Sequence, residues 1–139
     1  MATFNKFNCF AGDLMQGVHD LQAAGDTVKV YLTNATPDAA SYSVKTDLLE
    51  ITAENGYPSG GTDIQNDVSE SLGTASMTGV DVVFTASGGT FGPCRYAVLY
   101  NDTDGTKPLI GWWDYGSSVT PADTESFAID FGATIIDIA

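Results

Sequence analysis

The chain has 139 residues, 43% of them hydrophobic and 11% aromatic, which is the composition of one globular domain able to bury a core without staples. Eighteen acids stand against five cations, for a formal net charge of −13. Lys6, Lys29, Lys45, Arg95 and Lys107 are scattered rather than clustered, so direct nucleic-acid binding is not expected, and the acidity reads as a self-repelling surface or one complementary to a basic partner.

At the N-terminus, "MATFNKFNCF" places Phe4, Phe7 and Phe10 in a segment too polar between its rings for a buried strand. Residues 1–10 therefore read as an arm, either a helix lead-in or a segment that lays its rings on a neighbour. Phe10, Leu14, Val18 and Leu21 then recur at helical spacing, which predicts a helix over 11–25 with Gly25 just past its C-terminus. Gly17 inside it costs about 1 kcal/mol relative to alanine.

From residue 26 onward the pattern is strands and turns. "TVKVYLTN" alternates Val28, Val30 and Leu32 against Lys29, Tyr31 and Thr33, as a half-buried strand does. "ATPDAASYS" reads as a loop, and "VKTDLLEITAENGYPSGG" as a helical turn or a strand, closed by Asn55-Gly56 and Pro58-Ser59-Gly60-Gly61. "TDIQNDVSESLGTASMTG" is polar enough for a sheet edge. "VDVVFTAS", "CRYAVLYN", "PLIGWWDY", "ESFAIDF" and "TIIDIA" follow as short strands separated by turn signals, and "CRYAVLY", apolar on both faces apart from Arg95, reads as a central one. Such short connections favour antiparallel pairing. The fold expected is mainly β: an antiparallel β-sandwich, jelly-roll-like, over 26–139, with one N-terminal helix, in a single domain.

Side chains alternate along a strand, so Trp112 and Trp113 point to opposite faces. Simple alternation groups Leu109, Gly111, Trp113 and Tyr115 on one face and Ile110, Trp112 and Asp114 on the other. Asp114 marks the second face as the exterior. Trp112 is then either an interface anchor or a ring covered by a loop or by the N-terminal helix.

No catalytic signature is legible. The one histidine, His19, falls on the polar side of the expected helix and reads as solvated; there is no G-x-S-x-G elbow, and a site of several histidines is excluded. Trp112-Trp113-Asp114 has a superficial glycosidase look, but short loops offer little wall for a cleft. "NDTDG" lacks the further ligands of a calcium loop and reads as a hairpin turn, and "SGGTFGP" lacks the lysine of a phosphate loop. "NAT" and "NDT" match the glycosylation sequon but, without a signal, read as chance matches. Cys9 and Cys94, 85 residues apart, could bridge, but nothing in the local sequence demands it, and the plainer reading is two free thiols in a reducing compartment. No basic segment with a following apolar run opens the chain and no apolar run is long enough to span a bilayer, so neither a secretory signal nor a membrane segment is expected. The expectation is a non-enzyme with no cofactor and no metal.

The order of landmarks carries a resemblance. "ATFNKFNCF", "KVYLTNATP", "DLLEITAENGYPSGGTDI", "DVVFTASGGTFGPCRYAVLYND" and "PLIGWWDYGSSVTPADTESFAIDF" together cover most of the chain and resemble a group of small virion structural proteins of tailed phages and prophages. A tryptophan-bearing strand, a turn and an "F-x-I-D-F" strand recur in them. The usual turn has glycine before glutamate, where this chain has Thr124 before Glu125. The resemblance implies a protein made in the host cytoplasm and carried in the virion. The implied role is a head decoration or cement protein bound non-covalently to the major capsid protein, as a homo-oligomer, with a trimer favoured. The alternatives are a tail or tail-fibre subunit and a carbohydrate-binding β-sandwich module. Candidate interface residues are Phe4, Lys6, Phe7, Phe10, Trp112 and Tyr115, and the arm over 2–10 is expected to be removable without loss of the fold.

Overall fold

The computed structural model describes residues 2–139 and is mainly β, built from antiparallel sheets with one short N-terminal helix and no closed barrel. In chain order the elements are β1 (Phe4–Lys6), α1 (Asn8–Met15), β2 (Val28–Thr33), a 3₁₀ turn at Lys45–Asp47, β3 (Thr62–Asp63), β4 (Asp67–Ser71), β5 (Thr74–Thr78), β6 (Val82–Thr85), β7 (Cys94–Asn101), β8 (Leu109–Val119), β9 (Ser126–Ile129) and β10 (Ile136–Ile138). They form a five-stranded sheet in the order β1-β8-β7-β2-β3, a three-stranded sheet β10-β5-β4, and the pair β6-β9.

The expected central strand is central: β7 pairs with β8 on one side and with β2 on the other. Its two apolar faces serve two clusters. On one face Ala97 and Leu99, with Val28, Val30 and Leu32 of β2, meet Tyr57, Ile64, Met77, Phe84, Phe127 and Ile129 in the main core between the sheets. On the other, Val98 and Tyr100 join Tyr31, Leu109, Phe7 and Leu48 in a second cluster, roofed by the loop from residue 34 onward through Ala35 and Tyr42. Tyr31 and Thr33 are thus as buried as the residues they alternate with, so β2 is buried on both faces rather than half-buried.

The helix is shorter and earlier than 11–25. Gly17 adopts φ +76°, and the amides of Val18 and Gly17 return to the carbonyls of Asp13 and Leu14, which closes a Schellman cap at Gln16. The spacing of Phe10, Leu14, Val18 and Leu21 therefore continues past the helix into turns. Gly25, expected as the cap, instead packs on Asp20.

The N-terminal segment is not a free arm. Phe4–Lys6 is an edge strand on β8, with Phe4 opposite Trp113 and Lys6 opposite Gly111. Three residues give too short a run for alternation to be read from sequence. Met1, the first residue of the expected arm, lies outside the described residues.

Candidate interface

Both tryptophans sit on β8 and face opposite ways, but a bulge shifts the phase before them. Leu99 pairs with Gly111 and Tyr100 with Leu109, leaving Ile110 as the extra residue. Leu109 consequently joins Trp112 in the outer cluster and Ile110 joins Trp113 in the main core, the reverse of simple alternation. Trp113 is buried between Phe4 and Phe131, at centroid distances of 5.2 Å on both sides. Trp112 is half-buried against Phe7 at 4.6 Å. Its outward face also carries Asp114, which holds Arg95 in a two-pronged ion pair at 2.8 and 3.1 Å. Hydrogen bonds from that guanidinium and from the Gly116 amide keep the Asp114 carboxyl below the usual range.

Of the interface residues expected from sequence, Phe7 and Phe10 are buried, Phe7 in the outer cluster and Phe10 in the main core, and cannot dock on a partner. Deleting residues 2–10 would strip both clusters, so arm and fold are not separable. Phe4, Trp112 and Tyr115 are half-buried and Lys6 is exposed. Phe4 and Lys6 on β1 lie beside Trp112 and Trp113 through the β1–β8 pairing, whereas Tyr115 stands further along β8 with its ring edge-on to Phe127 at 4.9 Å.

Sequence reading missed a more exposed group. The β4–β5 hairpin turns through Leu72 and Gly73, both at positive φ, between the paired residues Ser71 and Thr74. This is the two-residue turn for which Asn-Gly is the favoured pair. Leu72 is fully exposed. The missed signal was a leucine before glycine in a polar stretch, where an asparagine would satisfy the backbone better.

The charges are unevenly neutralised. Lys29 and Lys107 both grip Asp102, at 3.1 and 2.6 Å, and Lys45 pairs with Glu50 at 2.8 Å. Burial works to raise the Asp102 carboxyl, but hydrogen bonds from Lys107 and Lys29 outweigh it and hold it low. Among the described residues, four of the five cations thus pair with three acids, Lys6 has no carboxylate partner, and fifteen acids have no lysine or arginine partner. "NDTDG" is the β7–β8 turn, and its carboxylates are engaged by Lys29, Lys107 and Thr106. No cluster of three or more metal-ligating side chains occurs among the described residues.

His19 is buried, not solvated. Its Nδ1 lies 3.1 Å from Nδ2 of Asn101, whose Oδ1 accepts the amides of Thr103 and Asp104. The second hydrogen of that Nδ2 goes to Asp26 at 2.7 Å. Burial lowers the His19 pKa against the opposing pull of Asp13, Asp26 and Asp104. Cys9 and Cys94 are both free thiols, Cys9 beside the outer cluster and Cys94 in the main core. Burial pushes the Cys94 thiol up to about 11.

No protein-family model, curated protein or solved structure matches this chain.

Proposed function

We propose that this chain is a non-enzymatic structural protein of a phage virion. Within the virion we assign it to the outside of the head, where it cements the shell through non-covalent contacts with the major capsid protein. The stacked sheets are read here as a jelly-roll-like β-sandwich, and the trimer is carried over from the resemblance.

The observation that supports a docking role best is Leu72. Leucine rarely adopts the left-handed conformation it has here, and at this hairpin tip its fully exposed side chain adds no packing to the fold in return. Apolar burial of the tip in a pocket of another protein would offset that backbone cost. The surplus of unpaired carboxylates adds an attraction to a basic surface, and repulsion between free copies before assembly. The tryptophans give less support to the carbohydrate module, since Trp113 is buried and Trp112 rests on Phe7.

The test is co-sedimentation with shells of the encoding phage assembled without this protein. Saturable binding that weakens as salt rises is the expected result. Free protein at the top of the gradient, with recovery on tails instead, would move the assignment to a tail or fibre subunit.

A further inference from the structure

β6 and β9 form a sheet of their own, so the edge of β9 turned away from β6 is unpaired. The Ala86 amide bonds the Glu125 carbonyl, and the Phe131 amide reaches Asp81 at the start of β6. Phe127 and Ile129 therefore direct their backbone groups to β6, and Ser126 and Ala128 direct theirs the other way. Neither of those two amides is hydrogen-bonded among the described residues. Two other edges are covered in part by the chain itself. The Asn55-Gly56 turn lies against the Thr85 carbonyl on the far side of β6, and on β4 the Asp67 carboxylate takes the amides of Val68 and Ala23.

Between β9 and the second half of β8 lie two adjoining hollows of about 540 and 480 Å³, which share Tyr115 and Ala128. No residue of β6 lines either, so they lie on the side to which Ser126 and Ala128 present their backbone. The Tyr115 ring, 4.9 Å from that of Phe127, gives the groove an apolar wall. β1 pairs with β8 only as far as Trp113, and Ala2 ahead of it lines the first hollow, so β1 ends where the groove begins.

Charge selects the occupant. Asp130 lines one hollow and Glu125 the other, and neither has a lysine or arginine partner among the described residues. Burial, with the charges of Asp130 and Asp81, pushes the Tyr115 hydroxyl up to about 12. No cation lines the groove, and a second copy of β9 would bring its own acids into it. We propose that this groove takes up an extended segment of another protein as an added strand on β9, hydrogen-bonded to Ser126 and Ala128 and carrying lysine or arginine toward Asp130 and Glu125. The surface involves neither Leu72 nor the position assigned in the virion.

The probe is a capped heptapeptide that alternates lysine with threonine and valine, added to the full chain while amide hydrogen exchange is followed by NMR. Without peptide, Ser126 and Ala128 should exchange roughly tenfold faster than Phe127 and Ile129, and saturating peptide should slow them by about as much. The counterpart with glutamate for lysine should bind roughly tenfold weaker, and salt should weaken the lysine peptide. Two lysine peptides, N-methylated at alternate positions in the two possible phases, keep the charge, and one of them should lose binding because a strand meets its neighbour with one set of amides. Ala128→Pro removes the outward N–H and spares the β6 ladder, so it should abolish binding while the spectrum stays dispersed. Should that variant not fold, the N-methylated pair decides the matter on the parent chain. No slowing at Ser126 and Ala128 with millimolar peptide, equal binding of the lysine and glutamate peptides, or full binding by both N-methylated peptides overturns the proposal. Slowing that grows with protein concentration alone gives the groove to a second copy and overturns it as well.

Discussion

Phe4 stands edge-on to Trp113, their ring centroids 5.2 Å apart, and lies over Gly111 of β8, where there is no side chain. A Cβ at Gly111 would overlap the Phe4 ring and crowd the Asn5 carbonyl. Glycine is needed here for close approach, and it is what lets the three-residue edge strand lie flat on β8. Gly111→Ala should therefore displace β1 and cost about 1–3 kcal/mol, the usual range for overpacking. Urea denaturation followed by tryptophan fluorescence measures it. A midpoint equal to that of the parent chain would show that Phe4 can move without loss.

Glu50 ties the long connection after β2 to the sheet. One carboxylate oxygen takes Nζ of Lys45 at 2.8 Å, and the other accepts from Tyr57 at 2.8 Å and from the Gly60 amide at 2.7 Å. The Tyr57 hydroxyl in turn accepts the Leu32 amide, which lies beyond the reach of the two-residue β3. Glu50→Ala leaves a largely buried lysine, the Tyr57 hydroxyl and the Gly60 amide without their partner, and should cost about 2–3 kcal/mol. Glu50→Gln, which keeps an acceptor for Tyr57 and Gly60, should recover part of this in the same assay. Equal stability of Glu50→Ala and the parent would show that the network does not hold this connection in place.

His19 gives the stability a defined dependence on pH. Its folded pKa lies below the ordinary 6.5, so the unfolded chain takes up the proton more readily. The contribution is complete above the unfolded value and is lost as pH falls below about 6.5 toward the folded pKa. Since acidification also relieves repulsion in a chain of net charge −13, the readout is the difference between the parent and His19→Phe. That difference should shrink in favour of the variant as pH is lowered through the histidine range. A difference that is flat with pH would mean His19 has no perturbed titration.

Much of this architecture was legible in the sequence, and the parts that were not share a physical cause. β7 is legible as a central strand because "CRYAVLY" is apolar on both faces apart from Arg95, and only a strand covered on both sides can bury two such faces. The opposite orientation of Trp112 and Trp113 follows from strand geometry alone and holds. Alternation misplaced Leu109 and Ile110 because a bulge inserts a residue without any local signature. The spacing predicts a helix longer than α1 because apolar residues recur at helical intervals after Gly17, and only the backbone shows that this glycine turns left-handed. Phe7 reads from sequence as an interface candidate and His19 as solvated because the burial of each depends on distant partners: Leu109 and Trp112, roughly a hundred residues on, for Phe7, and Asn101, 82 residues on, for His19.

Leu72 separates docking from folding. Asparagine tolerates the left-handed conformation better than leucine, so Leu72→Asn should leave thermal stability equal or raised by up to about 1 kcal/mol. The same change should weaken binding to shells at least tenfold, within the range expected for a central anchor. Loss of stability without loss of binding would show that the leucine serves the hairpin and not a partner.

Cryo-EM of expanded capsids that lack this protein, after mixing with the purified chain, distinguishes a head position from the others. A cement protein gives regular density on the outer shell at threefold or quasi-threefold positions, with the β4–β5 tip seated against the capsid protein. Bare shells, with the protein found on tails or free as an oligomer, would contradict the head position.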